Sequence, residues 1–264
     1  IYTLSLHDAL PIFGAGGRSL KRGRHAKKNF SLYRLINWVL FLGLGLGLLV
    51  ALWLFQGQEE HAPKPADETL EVLESNLPNV SVDDWELILV NRSHLQEDSP
   101  PQLTQIDDIQ VDSRIAENTR KFLAAAQKIA PGETLISGYR SRAEQAEIYE
   151  EALALAEEEG LSRQDAEHEV QKRIQIPGAS EHQTGLAIDM SEPEGQEDEV
   201  ADKIAEIAPR YGFILRYPEG KSDITGVDFE NWHYRYVGVK SAQYMQKHDL
   251  VLEEYLALLE AADK

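Results

Sequence analysis

Residues 180–190 read "SEHQTGLAIDM", and the fold turns on how this stretch is read. It sets His182 and Asp189 seven residues apart with Gly185 between them, then runs into an apolar, strand-like segment. Glycine accepts the backbone of a sharp turn, so a histidine on the loop and an aspartate on the strand can converge. They then supply two ligands of a metal site. Taken alone, the commoner outcome for such a pair is a capping aspartate beside a packed histidine. A second stretch, "FENWHYRYVG" (residues 229–238), shifts the balance by adding Glu230 and His233. A catalytic zinc takes three protein ligands and keeps one position open for water. His233 is the natural third ligand, and Glu230 stands where a base would take the water's proton. By itself, this second stretch would read as a strand carrying surface Glu and His around a core Trp232.

Working outward, "GLAIDM", "FILRYP", "WHYRYVG" and "TLISGY" read as strands, and "WELILV" as a strand or buried segment. Asp112-Ser113 can cap a helix whose apolar positions Ile115, Phe122, Leu123, Ala126 and Ile129 recur at helical spacing, stopped by Pro131-Gly132. Ser141-x-x-Glu144 is a capping-box signature for a helix running to Gly160. Ser162-x-x-Asp165 opens another, ending before Pro177. A helix from Glu199 to Tyr211 and an amphipathic "LVLEEYLALLEAA" complete the chain. Helices and short strands mix without a βαβ rhythm, which predicts an α+β fold with a small, mainly antiparallel sheet and flanking helices carrying the metal site. His61, His94 and His168 lie in polar surroundings and are expected at the surface.

The start of the chain has a different texture. "IYTLSLHDALPIFG" has no link to the residues after it and resembles translated sequencing-adapter sequence, so residues 1–14 are set aside as a non-native scar. Residues 15–34 are basic. Leu35 to Phe55 then runs 21 residues without a charge, enough at about 1.5 Å per residue to span about 30 Å of hydrocarbon. Trp38 and Trp53 sit near its ends, where interfacial aromatics are favoured. This predicts one N-terminal transmembrane helix, with the basic flank in the cytoplasm and the rest of the chain outside. A cleaved signal would have a shorter apolar core and a small-residue cleavage site. Residues 56–80, acidic and proline-bearing, read as a linker, and residues 81–264 as the functional domain.

The whole chain carries 26 Lys and Arg against 45 Asp and Glu, a net charge of −19, and the basic excess is confined to the segment before Phe55. Such an acidic exterior excludes a nucleic-acid binder, which needs clustered basic residues to displace counterions. The absence of cysteine means that stability comes from the core or a metal rather than from disulfides.

Together, "SEHQTGLAIDM" and "ENWHYRYVG" resemble the D-alanyl-D-alanine carboxypeptidase family of zinc peptidases, in particular its membrane-anchored branch that trims peptidoglycan stem peptides in Gram-positive bacteria. The pattern Ser-x-His-x-x-Gly-x-Ala-x-Asp is met by Ser180, His182, Gly185, Ala187 and Asp189. The resemblance implies that His182, Asp189 and His233 bind Zn²⁺ and that Glu230 is the catalytic base. "SGYRS" (137–141) also resembles the family, which implies that Arg140 clamps the substrate's terminal carboxylate and stabilises the oxyanion, with Arg142 at the helix start. A guanidinium fork suits that task. Gln145, Ser180 and Tyr217 are implied to line the peptide pocket.

Asn231 replaces a proline common before the Trp, and the acidic stretch 150–176 resembles a helical pair seen in relatives. The expected substrate is a stem peptide, cut D,D in a pentapeptide or L,D in a tetrapeptide. A wall-binding module without turnover and a peptidoglycan endopeptidase are the rival readings. The expected partners are the stem peptide and the membrane, with no obligate protein partner.

Overall fold

The structure, a computed structural model, describes Leu73 and residues 76–193 and 195–263. Residues 1–14, the basic segment, the Leu35–Phe55 stretch expected to span a membrane, His61 and most of the segment 56–80 lie outside the described residues. Among those described, no helix is long and apolar enough to cross a membrane.

The described residues form an α+β fold. Strands β1 (Leu103–Ile106) and β2 (Ile109–Asp112) make a hairpin, followed by helix α1 (Ala116–Ala126). Strand β3 (Thr134–Ser137) leads into helices α2 (Arg142–Glu158) and α3 (Arg163–Val170). A 3₁₀ turn (Glu181–Thr184) then delivers the chain to β4 (Ala187–Ser191). Helix α4 (Asp198–Ile207), β5 (Phe213–Tyr217), a single turn α5 (Ser222–Thr225), β6 (Glu230–Tyr236) and helices α6 (Val239–His248) and α7 (Leu252–Ala261) complete the order. The main sheet has the order β3-β4-β6-β5 and is antiparallel at every pairing.

Alternation along these strands sorts side chains to two faces. Ile188, Met190, Phe213 and Tyr234 enter a core shared with α1 and α4. At its centre Phe122, fully buried, has ring contacts with Tyr211, Phe213 and Tyr234 at 5.0–5.9 Å between centroids. Burial of such a ring stabilises by roughly 1.5–3 kcal/mol. Ile214 and Val237 join a second core closed by α6 and α7, with Leu77 and Leu87 from the segment before β1. Asp189 and His233 alternate away from Ile188 and Tyr234, so they project from the face opposite the aromatic core.

Several local expectations are met. Ser141 and Glu144 form a reciprocal capping box on α2, and the Ser162 hydroxyl accepts from the Asp165 N–H at the start of α3. The acidic stretch is a helical pair, held by buried Tyr149, Leu153 and Ala166 and by Arg163 bridging Glu150 and Glu167. Others need correction. Of the two readings of "WELILV" the strand fails: Trp85–Leu87 is a 3₁₀ turn, while Leu87 and Val90 are buried and the carbonyls of Glu86 and Ile88 are taken by Arg235. Asp112 does not cap α1. It ends β2 and binds the backbone and guanidinium of Arg114 instead. Helix α3 ends at Val170, before Pro177 as expected. Trp232 is half-buried and outside the hydrophobic cores. His94 and His168 are exposed, as expected.

Candidate metal centre

Asp189 and His233 are direct cross-strand partners on β4 and β6, so their side chains leave the sheet side by side. His182 reaches them from the 3₁₀ turn. Gly185 closes that turn in the left-handed region, at φ +69°, where a side chain would also crowd the Asp112 backbone at 2.8 Å. One ligand atom from each of His182, Asp189 and His233 lies within 4.8 Å of the others.

The hydrogen bonds set which atoms face inward. His182 Nδ1 is 2.7 Å from the Gly138 carbonyl, which can only accept, so Nδ1 carries the proton and Nε2 presents its lone pair to the centre. There Nε2 lies 3.3 Å from Asp189 Oδ2. Burial holds His182 below its ordinary pKa despite Asp189, which favours the neutral, ligating form. His233 is turned the other way: Nδ1 is 3.0 Å from Asp189 Oδ1, and Nε2 is 3.4 Å from Glu181 Oε2. Burial works against a charged His233, yet hydrogen bonds to Asp189 and Glu181 and nearby carboxylate charge push it up to about 10. Two imidazoles and a carboxylate, each aimed inward, fit zinc, which takes this donor type in tetrahedral sites with one position left for water. The outward ring nitrogens have acceptors, as metal-ligating histidines require.

Glu230 lies at the start of β6, buried, with Oε2 3.9 Å from His233 Nδ1. In a regular strand, residues three apart face opposite ways. Between the pairs Leu215↔Tyr234 and Tyr217↔Glu230, β5 advances two residues while β6 advances four. This bulge brings Glu230 beside His233, in keeping with the re-aiming role of bulges near active sites. Burial drives the Glu230 carboxyl up to about 8, Asp189 adds to the rise, and His233 and Arg140 oppose it.

Arg140 is half-buried, its Nη1 donating to Gln145 Oε1 and its Nη2 to Ser137 Oγ, both at 2.9 Å. Ser137 stands opposite Asp189 across a bulge in β3. Gln145 is buried and its other terminal atom donates to the Gln175 carbonyl, so it braces Arg140. Arg142 is exposed at the first residue of α2. Tyr217 is buried, its ring 4.9 Å from that of His233. Ser180, also buried, begins the turn that carries His182.

Sequence reading missed the Gly138 carbonyl and a buried charge cluster behind His233. Glu181 Oε1 accepts from Arg216 Nε and Arg235 Nη1, each at 2.8 Å, and Arg216 grips Glu253 with two further N–H groups. A signal was present: Arg235 comes two residues after His233, so the strand period puts it on the same face.

Residues 108–239 match the VanY family, D-alanyl-D-alanine carboxypeptidase. A D-alanyl-D-alanine carboxypeptidase of Enterococcus faecalis is 37% identical over 177 residues, covering 66% of this chain. The match spans just under two thirds, 66%, of that relative's own length. Among solved structures, the vancomycin-resistance D,D-pentapeptidase VanY from a VanB-type cassette, in complex with Zn(II), superposes with a TM-score of 0.61 at 37% identity. That likeness covers 66% of this chain and 99% of the other. The LD-carboxypeptidase LdcB gives a TM-score of 0.52 at 30% identity, covering 69% of this chain and 93% of its own.

Proposed function

The chain belongs to the VanY family of D-alanyl-D-alanine carboxypeptidases, and we propose that it uses zinc to remove the terminal D-alanine from peptidoglycan stem peptides. The observation that carries this reading is Glu230, a buried carboxylate 3.9 Å from His233 and beside two further inward-facing ligand residues. A binding module would have no use for so costly a group.

In this reading His182 Nε2, His233 Nδ1 and Asp189 hold the metal. When bound, the zinc would supply Lewis-acid activation of a water and of the scissile carbonyl. Glu230 accepts a proton from the attacking water and returns it to the departing amine nitrogen. Its raised affinity for a proton, a result of burial, makes it the stronger base for the first step. Arg140, pre-aligned by Ser137 and Gln145, grips the carboxylate that defines a chain end and stabilises charge growing on the carbonyl oxygen. Tyr217 packs on His233, and Ser180 borders the turn; both are assigned to the peptide pocket. Tetra- and pentapeptide stems are both candidate substrates, since solved relatives include D,D- and LD-enzymes.

Leu35–Phe55 is assigned as a single-pass anchor that leaves residues 81–264 outside the cell, supported by its 21 uncharged residues and basic flank. Retention of the chain in membranes after alkaline extraction tests that assignment. The activity is tested by mass spectrometry of synthetic stems incubated with zinc-loaded protein and with Glu230→Ala. Loss of one alanine from either stem, absent in the variant, is the expected result. Zinc binding without release from either stem would replace the enzyme reading with a wall-binding one.

A further inference from the structure

We infer that Glu181 is the positioning residue for His233, fixing which ring nitrogen faces the metal, and that Arg216 and Arg235 hold Glu181 to that task. This rests on the metal-site reading above. Glu181, Arg216 and Arg235 have no side-chain exposure at all, an arrangement with a large desolvation cost unless every charge is matched. They are matched. The two arginines face Glu181 and Glu253, so the four charges of the cluster cancel.

The division of labour between the two Glu181 oxygens is the central observation. Oε1 takes both guanidinium groups, while Oε2 turns to His233 Nε2 at 3.4 Å. A carboxylate can only accept, so the imidazole proton belongs on Nε2, and the Nδ1 lone pair is left for the metal. His182 is set the opposite way by the Gly138 carbonyl, through Nδ1. The two histidines therefore bind through different nitrogens because they have different partners.

The carboxylate is held by two guanidinium groups that are themselves fixed. Arg235 also donates to the carbonyls of Glu86, Ile88 and Tyr236. Arg216 makes its paired contact with Glu253 on α7. Tyr217, next to Arg216, closes on the His233 ring face. The network ties the segment before β1, strands β5 and β6 and the last helix to one ligand of the centre.

The test compares zinc affinity, by competition with a chromophoric chelator, for full-length wild type, Glu181→Gln and Glu253→Gln. Each substitution removes one negative charge from the cluster, but only the first touches His233. In Glu181→Gln the amide offers N–H where Oε2 stood, which favours a proton on Nδ1, in the metal's place. Zinc affinity is expected to fall about 10–100-fold, the usual loss for such outer partners, while Glu253→Gln stays within about threefold even if both lower Tm. The histidine ¹⁵N spectrum supplies a readout on wild type alone: His233 should ligate zinc through Nδ1 with its proton on Nε2.

Ligation through Nε2, wild-type affinity in a folded Glu181→Gln, or equal weakening by Glu253→Gln would each overturn the inference. Wild type that binds no zinc would instead remove the metal-site reading beneath it.

Discussion

Asp189 bridges the two histidines of the centre, with Oδ2 3.3 Å from His182 Nε2 and Oδ1 3.0 Å from its cross-strand partner His233. The three residues are thus gathered by protein contacts, and the two hydrophobic cores close around the sheet without drawing on a metal. Chelation is accordingly expected to abolish stem-peptide hydrolysis while leaving the far-UV circular dichroism unchanged, and added zinc to restore activity. Zinc should add stability only by mass action, about 2.7 kcal/mol at a hundredfold excess over Kd. A chelated protein that loses its secondary structure would contradict this.

Glu230→Gln separates catalysis from folding. The amide keeps the shape but cannot take a proton, and loss of a positioned base costs about 10²–10⁴-fold in rate. Because burial opposes ionisation of Glu230, neutralising it should leave Tm unchanged or higher, a stability gain at the expense of activity. Zinc affinity should hold within a few-fold. Measuring kcat, Tm and zinc Kd on one preparation decides it, and retained kcat would remove Glu230 from the mechanism.

Arg140 is expected to read the free carboxylate of the substrate. Arg140→Lys keeps the charge and loses the fork, and kcat/KM should fall about 10–100-fold, in line with about 1.5–3 kcal/mol for a charged hydrogen bond. Arg142→Ala, altering an exposed residue, should stay within about twofold. A stem ending in an amide should lose the same factor on wild type but little more on Arg140→Lys. Equal losses on both enzymes would show that Arg140 does not meet the carboxylate.

Much of this was legible in sequence because local rules govern it. The strands bearing Asp189 and His233 come from alternation, the start of α2 from its capping box, and the joining of two separate stretches from the ligand chemistry of zinc. What escaped depended on distant partners. The bulge that brings Glu230 to His233 is a register property of β5 against β6, invisible in either strand alone. Nothing local marks Arg216 and Arg235 as buried, since Glu181 and Glu253 meet them only in the fold. The β1–β2 hairpin turns on Asp107, left-handed at φ 47°, and Asp-Asp lacks the glycine that signals such turns. Helix α6 begins after Gly238 with no side-chain cap, so no capping signature marks its start.

Glu133 provides a test of fold energetics away from the centre. Nearly fully buried just before β3, it accepts from Gln196 Nε2 at 2.6 Å, and a Cβ on neighbouring Gly132 would lie 2.7 Å from Glu192 Oε1. Burial, reinforced by Glu192, pushes the Glu133 carboxyl up to about 7 from an ordinary 4.5. A folded-state value above the unfolded one means that the fold prefers the protonated acid. Its contribution is fully present below about pH 4.5, is lost as pH rises to about 7, and stays lost above that. Glu133→Gln is neutral throughout and can still accept from Gln196. It should match wild type near pH 4.5 and exceed it at pH 8 by about 1–3 kcal/mol, at about 1.4 kcal/mol for each pKa unit. Urea midpoints for both proteins across this range isolate the residue, since every other titrating group is common to the pair. Parallel curves would mean that Glu133 ionises in the fold as it does in water.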